Sequence, residues 1–152
     1  IVEPFAVSHD AADPIGINVF SGNDKATVVT DTGIISDDIL HRLDDSTLLV
    51  LEANYDPHML RFGPYQPFLK QRVASDEGHL SNEMAAQALL MMKRPDFMQV
   101  ILAHRSENNN NAVLVTQTIG KMLVDGGVRI GPEMKLQHGQ PNEIVSMQSI
   151  KR

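Results

Sequence analysis

Two largely apolar runs constrain the fold of this chain more than any other feature of its sequence. Thr47–Leu51 and Met98–Ala103 are each bounded by polar residues. Runs of this length are typical of strands buried on both faces, as in a parallel sheet that is covered by helices. We therefore predict an α/β layered fold.

The segments around these two runs alternate between strand and helix patterns. Strands are predicted at residues 1–8, 15–20 and 26–30, with a hairpin loop at residues 21–25. Helices are predicted after an N-cap at Ser36, over residues 81–92 and over residues 112–124. The other segments are predicted as an irregular stretch at 57–77, a polar loop at 108–111 and one or two short strands within 133–148.

Composition narrows the class of protein. The 152 residues suffice for one domain, and 42% apolar with 21% charged content is ordinary for a soluble globular protein. The absence of cysteine excludes disulfides, thiolate metal sites and a cysteine nucleophile, and it fits a cytoplasmic location. No apolar run approaches the roughly 20 residues that a membrane span needs. With a net charge of −6, an anionic substrate must be attracted locally.

Ionisable residues stand where the predicted strands end. They are His9, Asp31, Glu52 and His104, and His79 stands just before a predicted helix. Loops at one edge of a sheet bring such residues together, and the carboxyl edge is where α/β sheets hold ligands. Histidines and carboxylates without cysteine are ligands suited to Zn²⁺, Mn²⁺ or Fe.

Five short motifs occur in a characteristic order. They are Ser8-His9-Asp10-Ala11, Thr30-Asp31-Thr32-Gly33, Leu51-Glu52-Ala53-Asn54, Gly78-His79-Leu80-Ser81-Asn82 and Leu102-Ala103-His104-Arg105-Ser106. This set resembles the C-terminal part of metallo-β-lactamase-fold hydrolases, above all the YycJ branch (also called WalJ or VicX). The more distant ribonuclease Z is similar in the order of its motifs. The resemblance implies the C-terminal portion of an αββα sandwich, with residues 1–152 forming a single partial domain.

The resemblance also implies a role for each site residue. His9, Asp31 and His104 would be metal ligands, and Asp31 would bridge two divalent ions, Zn or Mn with Fe possible. His79 would be the general acid that protonates the leaving oxygen, and Glu52 would orient it. The two ions would hold the phosphate and activate water.

The implied activity is metal-dependent phosphodiester hydrolysis of nucleic acid, with a DNA exonuclease or related nuclease as the first hypothesis. Cyclic phosphodiesterase and thioester hydrolase activities stay open, because the same two metals serve all of them. A different class also stays open, in which the chain is a non-catalytic module or pseudo-enzyme that binds a partner through an exposed sheet face.

The sequence departs from the family pattern in one large respect. The principal metal motif, His-x-His-x-Asp-His, does not occur, and the resemblance places it in an N-terminal half that supplies most ligands and one of two packed sheets. The chain would then hold about three of the roughly seven protein ligands of a dinuclear site. We expect a fragment that is inactive alone. Tyr55 also stands where close relatives often have histidine.

Plainer interpretations accompany these hypotheses. Glu52 could pair with Lys or Arg, and His79 could serve only as a residue at the start of a helix. His41, His58 and His138 are predicted to be solvated, and Met84, Met91, Met92 and Met98 to fill the core. Arg61, Lys70 and Arg72 form the main basic cluster, predicted to be a solvated face, with phosphate contact as the alternative.

Overall fold

A computed structural model describes residues 1–140 and 143–145 of the chain. Within these residues the strands are β1 (Val2–Ala6), β2 (Ile15–Ser21), β3 (Asp24–Val29), β4 (Leu48–Glu52), β5 (Met98–Ala103) and β6 (Met134–His138). The helices are α1 (Asp37–Leu43), α2 (Pro57–Phe62), α3 (Pro67–Val73), α4 (Asn82–Met91) and α5 (Ala112–Asp125). None of these helices combines the length and the apolar character needed to cross a membrane.

The strands form a single six-stranded sheet in the order β1-β2-β3-β4-β5-β6. The β1–β2 and β2–β3 pairs are antiparallel, whereas β3, β4, β5 and β6 pair in parallel. Strands β1, β3, β4 and β5 therefore all run in one direction. Their carboxyl ends share one edge of the sheet, as the sequence predicts.

The predicted helix starts are confirmed by their caps. The side chains of Ser36, Ser81 and Asn111 accept hydrogen bonds from the backbone N–H of Ile39, Met84 and Leu114, which satisfies donors that a helix leaves free at its start. Helices α1, α4 and α5 then pack their apolar residues against one face of the sheet. The buried sheet residues of that core include Val29, Leu49, Leu51, Val100 and Leu102.

The opposite face of the sheet is less covered than the sequence predicts. Val28, Val50 and Ile101 lie side by side across β3, β4 and β5 on this face. Val28 is 40% exposed, and Val50 and Ile101 are only half-buried. The expectation that helices bury both faces is therefore wrong for the described residues. An apolar run predicts that a strand is buried, but it does not specify which element packs against each face of that strand.

Residues 57–77 are more regular than predicted, because they contain helices α2 and α3. Each helix begins with a proline, Pro57 or Pro67. Proline fits the first turn of a helix, where its missing N–H is not needed and its fixed φ already matches. The prolines that suggest an irregular stretch are therefore helix starts.

The predicted hairpin and the predicted asparagine loop are both present, and the hairpin loop is shorter than predicted. The β2–β3 connection is a two-residue turn at Gly22 and Asn23, because Gly22 adopts a φ of +58° that a tight turn uses. In the asparagine loop, Asn109 and Asn110 are buried. The Asn110 side-chain N–H groups donate to the carbonyl oxygens of Ala53 and Asn54, so this loop is fixed to the end of β4.

The remaining predictions have mixed outcomes. His41 and His58 are exposed as predicted, but His138 is half-buried and its Nε2 lies 2.9 Å from the Thr116 hydroxyl. Met84, Met92 and Met98 pack in the core, whereas Met91 is 67% exposed. The predicted tail strand is β6, and residues 141–142 and 146–148 of that range lie outside the described residues.

Candidate metal and catalytic site

All five predicted site residues lie at the shared carboxyl edge of the sheet. His9 follows β1, Asp31 follows β3, Glu52 ends β4, His104 directly follows β5 and His79 precedes α4. Backbone hydrogen bonds join the loops in pairs. The Gly33 N–H donates to the Ser8 carbonyl, which joins the loops after β3 and β1, and the Ser106 N–H donates to the Asn54 carbonyl, which joins the loops after β5 and β4. Residues that are far apart in sequence are thus held in one place by the parallel strands.

The carboxylate of Asp31 is the point on which the histidines converge. Its Oδ1 lies 3.6 Å from His9 Nε2, 3.7 Å from His104 Nε2 and 4.0 Å from His79 Nδ1. Ligand-type atoms of Asp31, Glu52, His79 and His104 all lie within 4.8 Å of one another. The side chain of Asp31 is 41% exposed, so this point remains open to solvent.

Glu52 is a buried hub beneath this cluster. Its Oε2 accepts hydrogen bonds from His104 Nδ1 at 2.5 Å, His79 Nδ1 at 3.0 Å and the Asp31 backbone N–H at 3.1 Å. Its Oε1 accepts from the backbone N–H of Leu80 at 2.7 Å. The partners of this fully buried carboxylate are imidazoles and backbone groups, so the pairing with Lys or Arg is not found in the described chain. These contacts are those of a residue that positions the two imidazoles.

The hydrogen bonds also assign the proton on each imidazole. A carboxylate or a carbonyl can only accept, so Nδ1 carries the proton in His79 and His104, which face Glu52. His9 Nδ1 likewise donates to the Gly78 carbonyl at 3.0 Å. In each neutral ring Nε2 is then the atom with a free lone pair, as metal-ligating histidines require.

The hydrogen bonds between Glu52 and the histidines shift the pKa values of Glu52 and His104. Burial opposes ionisation of Glu52, but the hydrogen bonds from His104 and His79 outweigh it and hold the Glu52 pKa below its usual value. The hydrogen bond to Glu52 raises the pKa of His104, against a smaller opposing effect of burial. A negative charge is thus retained in the interior because two imidazoles donate to it.

The backbone at the site is strained at two positions. Asp31 has a φ of +56° and His104 a φ of +51°, in the left-handed region that side chains other than glycine rarely adopt. Such conformations cost on the order of 1–3 kcal/mol each and cluster at functional sites. The Asn54 amide donates to the His104 carbonyl at 2.8 Å, which fixes the backbone at the second of these positions.

Three supporting residues could not be assigned from the sequence. Gly78 presents the carbonyl that holds His9, and a Cβ there would lie 2.2 Å from the Arg72 carbonyl oxygen, so no larger residue fits. Arg72 makes two hydrogen bonds to Asp10, the neighbour of His9, and lowers the Asp10 pKa. The sequence assigns no role to Asn54, although it belongs to one of the five motifs, and the structure shows its amide donating to the His104 carbonyl.

Tyr55, which stands where close relatives often have histidine, packs with Leu60 and Val73 in a small core.

Above the cluster lies an open groove with a volume of about 470 Å³. Its lining includes the imidazoles of His9, His79 and His104 together with Tyr65 and Arg72. Arg105, which follows His104, also lines the groove. The groove therefore combines histidine and carboxylate side chains that could bind a metal ion with arginine side chains. The positive charge of the arginines suits an anionic substrate.

Replacing the buried hub by an amide is expected to destabilise the fold. Glu52→Gln would set an NH₂ group against N–H donors and remove the charge that both imidazoles face. We expect the free energy of unfolding in urea to fall by about 3 kcal/mol. Glu107→Gln, an exposed position in the same groove, is the matched control and should change it by less than about 0.5 kcal/mol. Equal stability of the two variants would contradict the role of the hub.

The sequence of this chain is similar to those of two bacterial proteins that are named exodeoxyribonucleases. The chain is 34% identical over 149 residues to exodeoxyribonuclease YycJ of Bacillus anthracis. It is 32% identical over 149 residues to exodeoxyribonuclease WalJ of Streptococcus pneumoniae D39. These matches cover 98% of the chain but 56% and 55% of the relatives, so the chain spans about half the length of the proteins it matches. These matches confirm the resemblance to the YycJ branch. No protein-family model matches the chain.

A solved structure gives the same result for the fold. The metallo-beta-lactamase fold protein YhfI from Bacillus subtilis superposes with a TM-score of 0.61, over 91% of this chain and 46% of that protein. Sequence identity is 11%, so this match establishes the fold alone. The predicted α/β class and the metallo-β-lactamase fold are both confirmed.

Proposed function

We propose that this chain, which has the metallo-β-lactamase fold, provides part of the active site of a metal-dependent phosphodiester hydrolase that acts on nucleic acid. A DNA exonuclease is the first choice, because the relatives that match 98% of the chain are named exodeoxyribonucleases. The observation that supports the proposal most is the convergence of His9 Nε2 and His104 Nε2 on Asp31 Oδ1. The lack of cysteine favours the cytoplasm as its location.

The donors fit a divalent metal ion. His9, Asp31 and His104 offer two imidazole nitrogens and one carboxylate, a set that suits Zn²⁺ or Mn²⁺ and also Fe. Both imidazoles have their Nδ1 protons fixed by other groups, which is the usual support for a metal-ligating histidine. Asp31, with a second carboxylate oxygen, is the residue we assign to bridge two ions. Bound metal would supply a water activated at neutral pH and positive charge for the phosphate.

His79 is assigned as the general acid. Its Nδ1–H donates to Glu52, so the ring is held in one orientation and lines the groove. With a second proton on Nε2, the ring would donate that proton to a group in the groove. A leaving alkoxide needs such a proton, because it departs poorly as an anion.

The test separates metal binding from catalysis. Calorimetric titration of this chain with Zn²⁺ and Mn²⁺ should show binding that EDTA reverses. The full-length product of the gene should then hydrolyse bis-p-nitrophenyl phosphate and single-stranded DNA, and lose both activities in EDTA. Metal binding without hydrolysis would favour the non-catalytic alternative. Faster turnover of a thioester or a cyclic dinucleotide than of DNA would reassign the substrate.

A further inference from the structure

The α2–α3 segment, residues 57–73, has a composition unlike the rest of the chain. It contains three cationic residues and neither Asp nor Glu, although the whole chain has a net charge of −6. It also holds three of the seven Phe and Tyr residues. The cations are Arg61, Lys70 and Arg72, and the aromatic residues are Phe62, Tyr65 and Phe68. Positive charge and aromatic rings are therefore concentrated on one helical hairpin.

Two of these rings stand in solvent. Phe62 is 67% exposed and Phe68 is 70% exposed, whereas Phe5 of the main core is 6% exposed. Phenylalanine is among the residues most often buried, because removing its large ring from water is favourable. Two solvated rings on one short hairpin therefore indicate a surface that binds something.

The cations stand beside these rings. The Arg61 guanidinium lies 5.3 Å from the centre of the Phe62 ring. Lys70 Nζ donates to the Arg61 carbonyl at 2.8 Å, which ties α3 to the end of α2. This arrangement presents positive charge and a flat apolar surface together.

The hairpin also borders the site. Tyr65, Leu69 and Arg72 line the groove that contains His9 and His79. Phe68 lies one helical turn before Arg72 in α3, and residues four apart in a helix share a face. A polymer lying on the hairpin can therefore continue into the groove.

We propose that the α2–α3 segment is a binding platform for single-stranded nucleic acid, with bases stacking on Phe62 and Phe68 and phosphates contacting Arg61 and Lys70. Stacking on aromatic rings beside a basic track is how proteins hold single strands without reading sequence. The local absence of acidic residues favours a polyanion over an apolar protein partner. The strand's route to the metal cluster rests on the proposed function, but its binding to the platform does not.

The first experiment measures binding without catalysis. Fluorescence anisotropy of a labelled oligothymidylate is recorded with the full-length gene product in EDTA. The double variant Phe62→Ala/Phe68→Ala should bind about 10–100-fold more weakly than the unsubstituted protein. Val124→Ala, at a position 58% exposed on α5, is the matched control and should bind normally. Normal binding by the Phe62→Ala/Phe68→Ala variant would overturn the proposal.

A second comparison distinguishes stacking from a general loss of structure. An oligomer of the same length with abasic sugars should bind the unsubstituted protein more weakly, and the double variant should show no further loss on that oligomer. Arg61→Gln should lower the slope of log affinity against log salt by about 0.7. Equal losses on the two oligomers would rule out stacking and assign the effect of the Phe substitutions to a general loss of structure.

A separate assay on the full-length gene product tests the proposed function independently of the binding platform. Hydrolysis of bis-p-nitrophenyl phosphate with Mn²⁺ tests the metal cluster without a polymer. If the unsubstituted protein hydrolyses this ester and the Phe substitutions leave DNA affinity unchanged, only the proposed binding platform is contradicted. If DNA binding depends on the rings and no hydrolysis occurs, the platform stands and the hydrolase assignment fails.

Discussion

Replacing Asp31 by Asn is expected to reduce metal affinity more than any other single change in this chain. The carboxylate is the group toward which His9 Nε2 and His104 Nε2 both point, at 3.6 Å and 3.7 Å. An amide is neutral and cannot bridge two ions. Loss of a residue that only supports a ligand costs about 10–100-fold in metal affinity, so loss of this ligand should cost more than about 100-fold. Calorimetry with Zn²⁺ or Mn²⁺ measures the change.

Asn is a better choice than Ala for this experiment. Asp31 sits at a φ of +56°, a conformation that Asp and Asn tolerate better than most residues. Asn therefore keeps the bend after β3 while removing the charge. Asp13→Asn, in the exposed loop after β1, is the matched control and should leave metal affinity unchanged. Unchanged affinity in Asp31→Asn would remove Asp31 from the ligand set.

The layered fold was predictable because its signals are local. Apolar runs mark β4 and β5, and the polar caps Ser36 and Ser81 mark helix starts within a few residues of chain. The failures have a common cause. Pro57 and Pro67 can equally interrupt a helix or begin one, and only the packing of the hairpin decides. Burial of Val50 likewise depends on what covers its face of the sheet, which its own sequence does not specify.

The candidate site was predictable only in part for a related reason. The order of the motifs and their positions at strand ends indicate which side chains meet at one edge. The contacts that orient them join residues far apart, since His104 lies 52 positions after Glu52 and Gly78 lies 69 positions after His9. The resemblance implies that Glu52 orients His79. That it also holds His104 depends on the register of β4 against β5, in which Glu52 lies beside Ala103.

Replacing His79 by Ala is expected to affect substrates unequally. A DNA phosphodiester has a sugar alkoxide as its leaving group, which needs a proton, and loss of a general acid typically costs about 10²–10⁴-fold in rate. Bis-p-nitrophenyl phosphate releases a nitrophenolate that needs little protonation. In the full-length gene product, kcat/KM should therefore fall steeply on DNA and only slightly on the nitrophenyl ester. His41→Ala, whose side chain is 78% exposed, should leave both rates unchanged.

The ratio of the two losses, rather than either loss alone, identifies the role of His79. His79 also donates to Glu52, which in turn holds His104, so its removal could disturb the metal cluster. Disturbance of the cluster would slow both substrates to the same extent, because both need the same metal chemistry. Equal losses would therefore assign His79 to support of the hub. A loss confined to DNA would identify it as the proton donor.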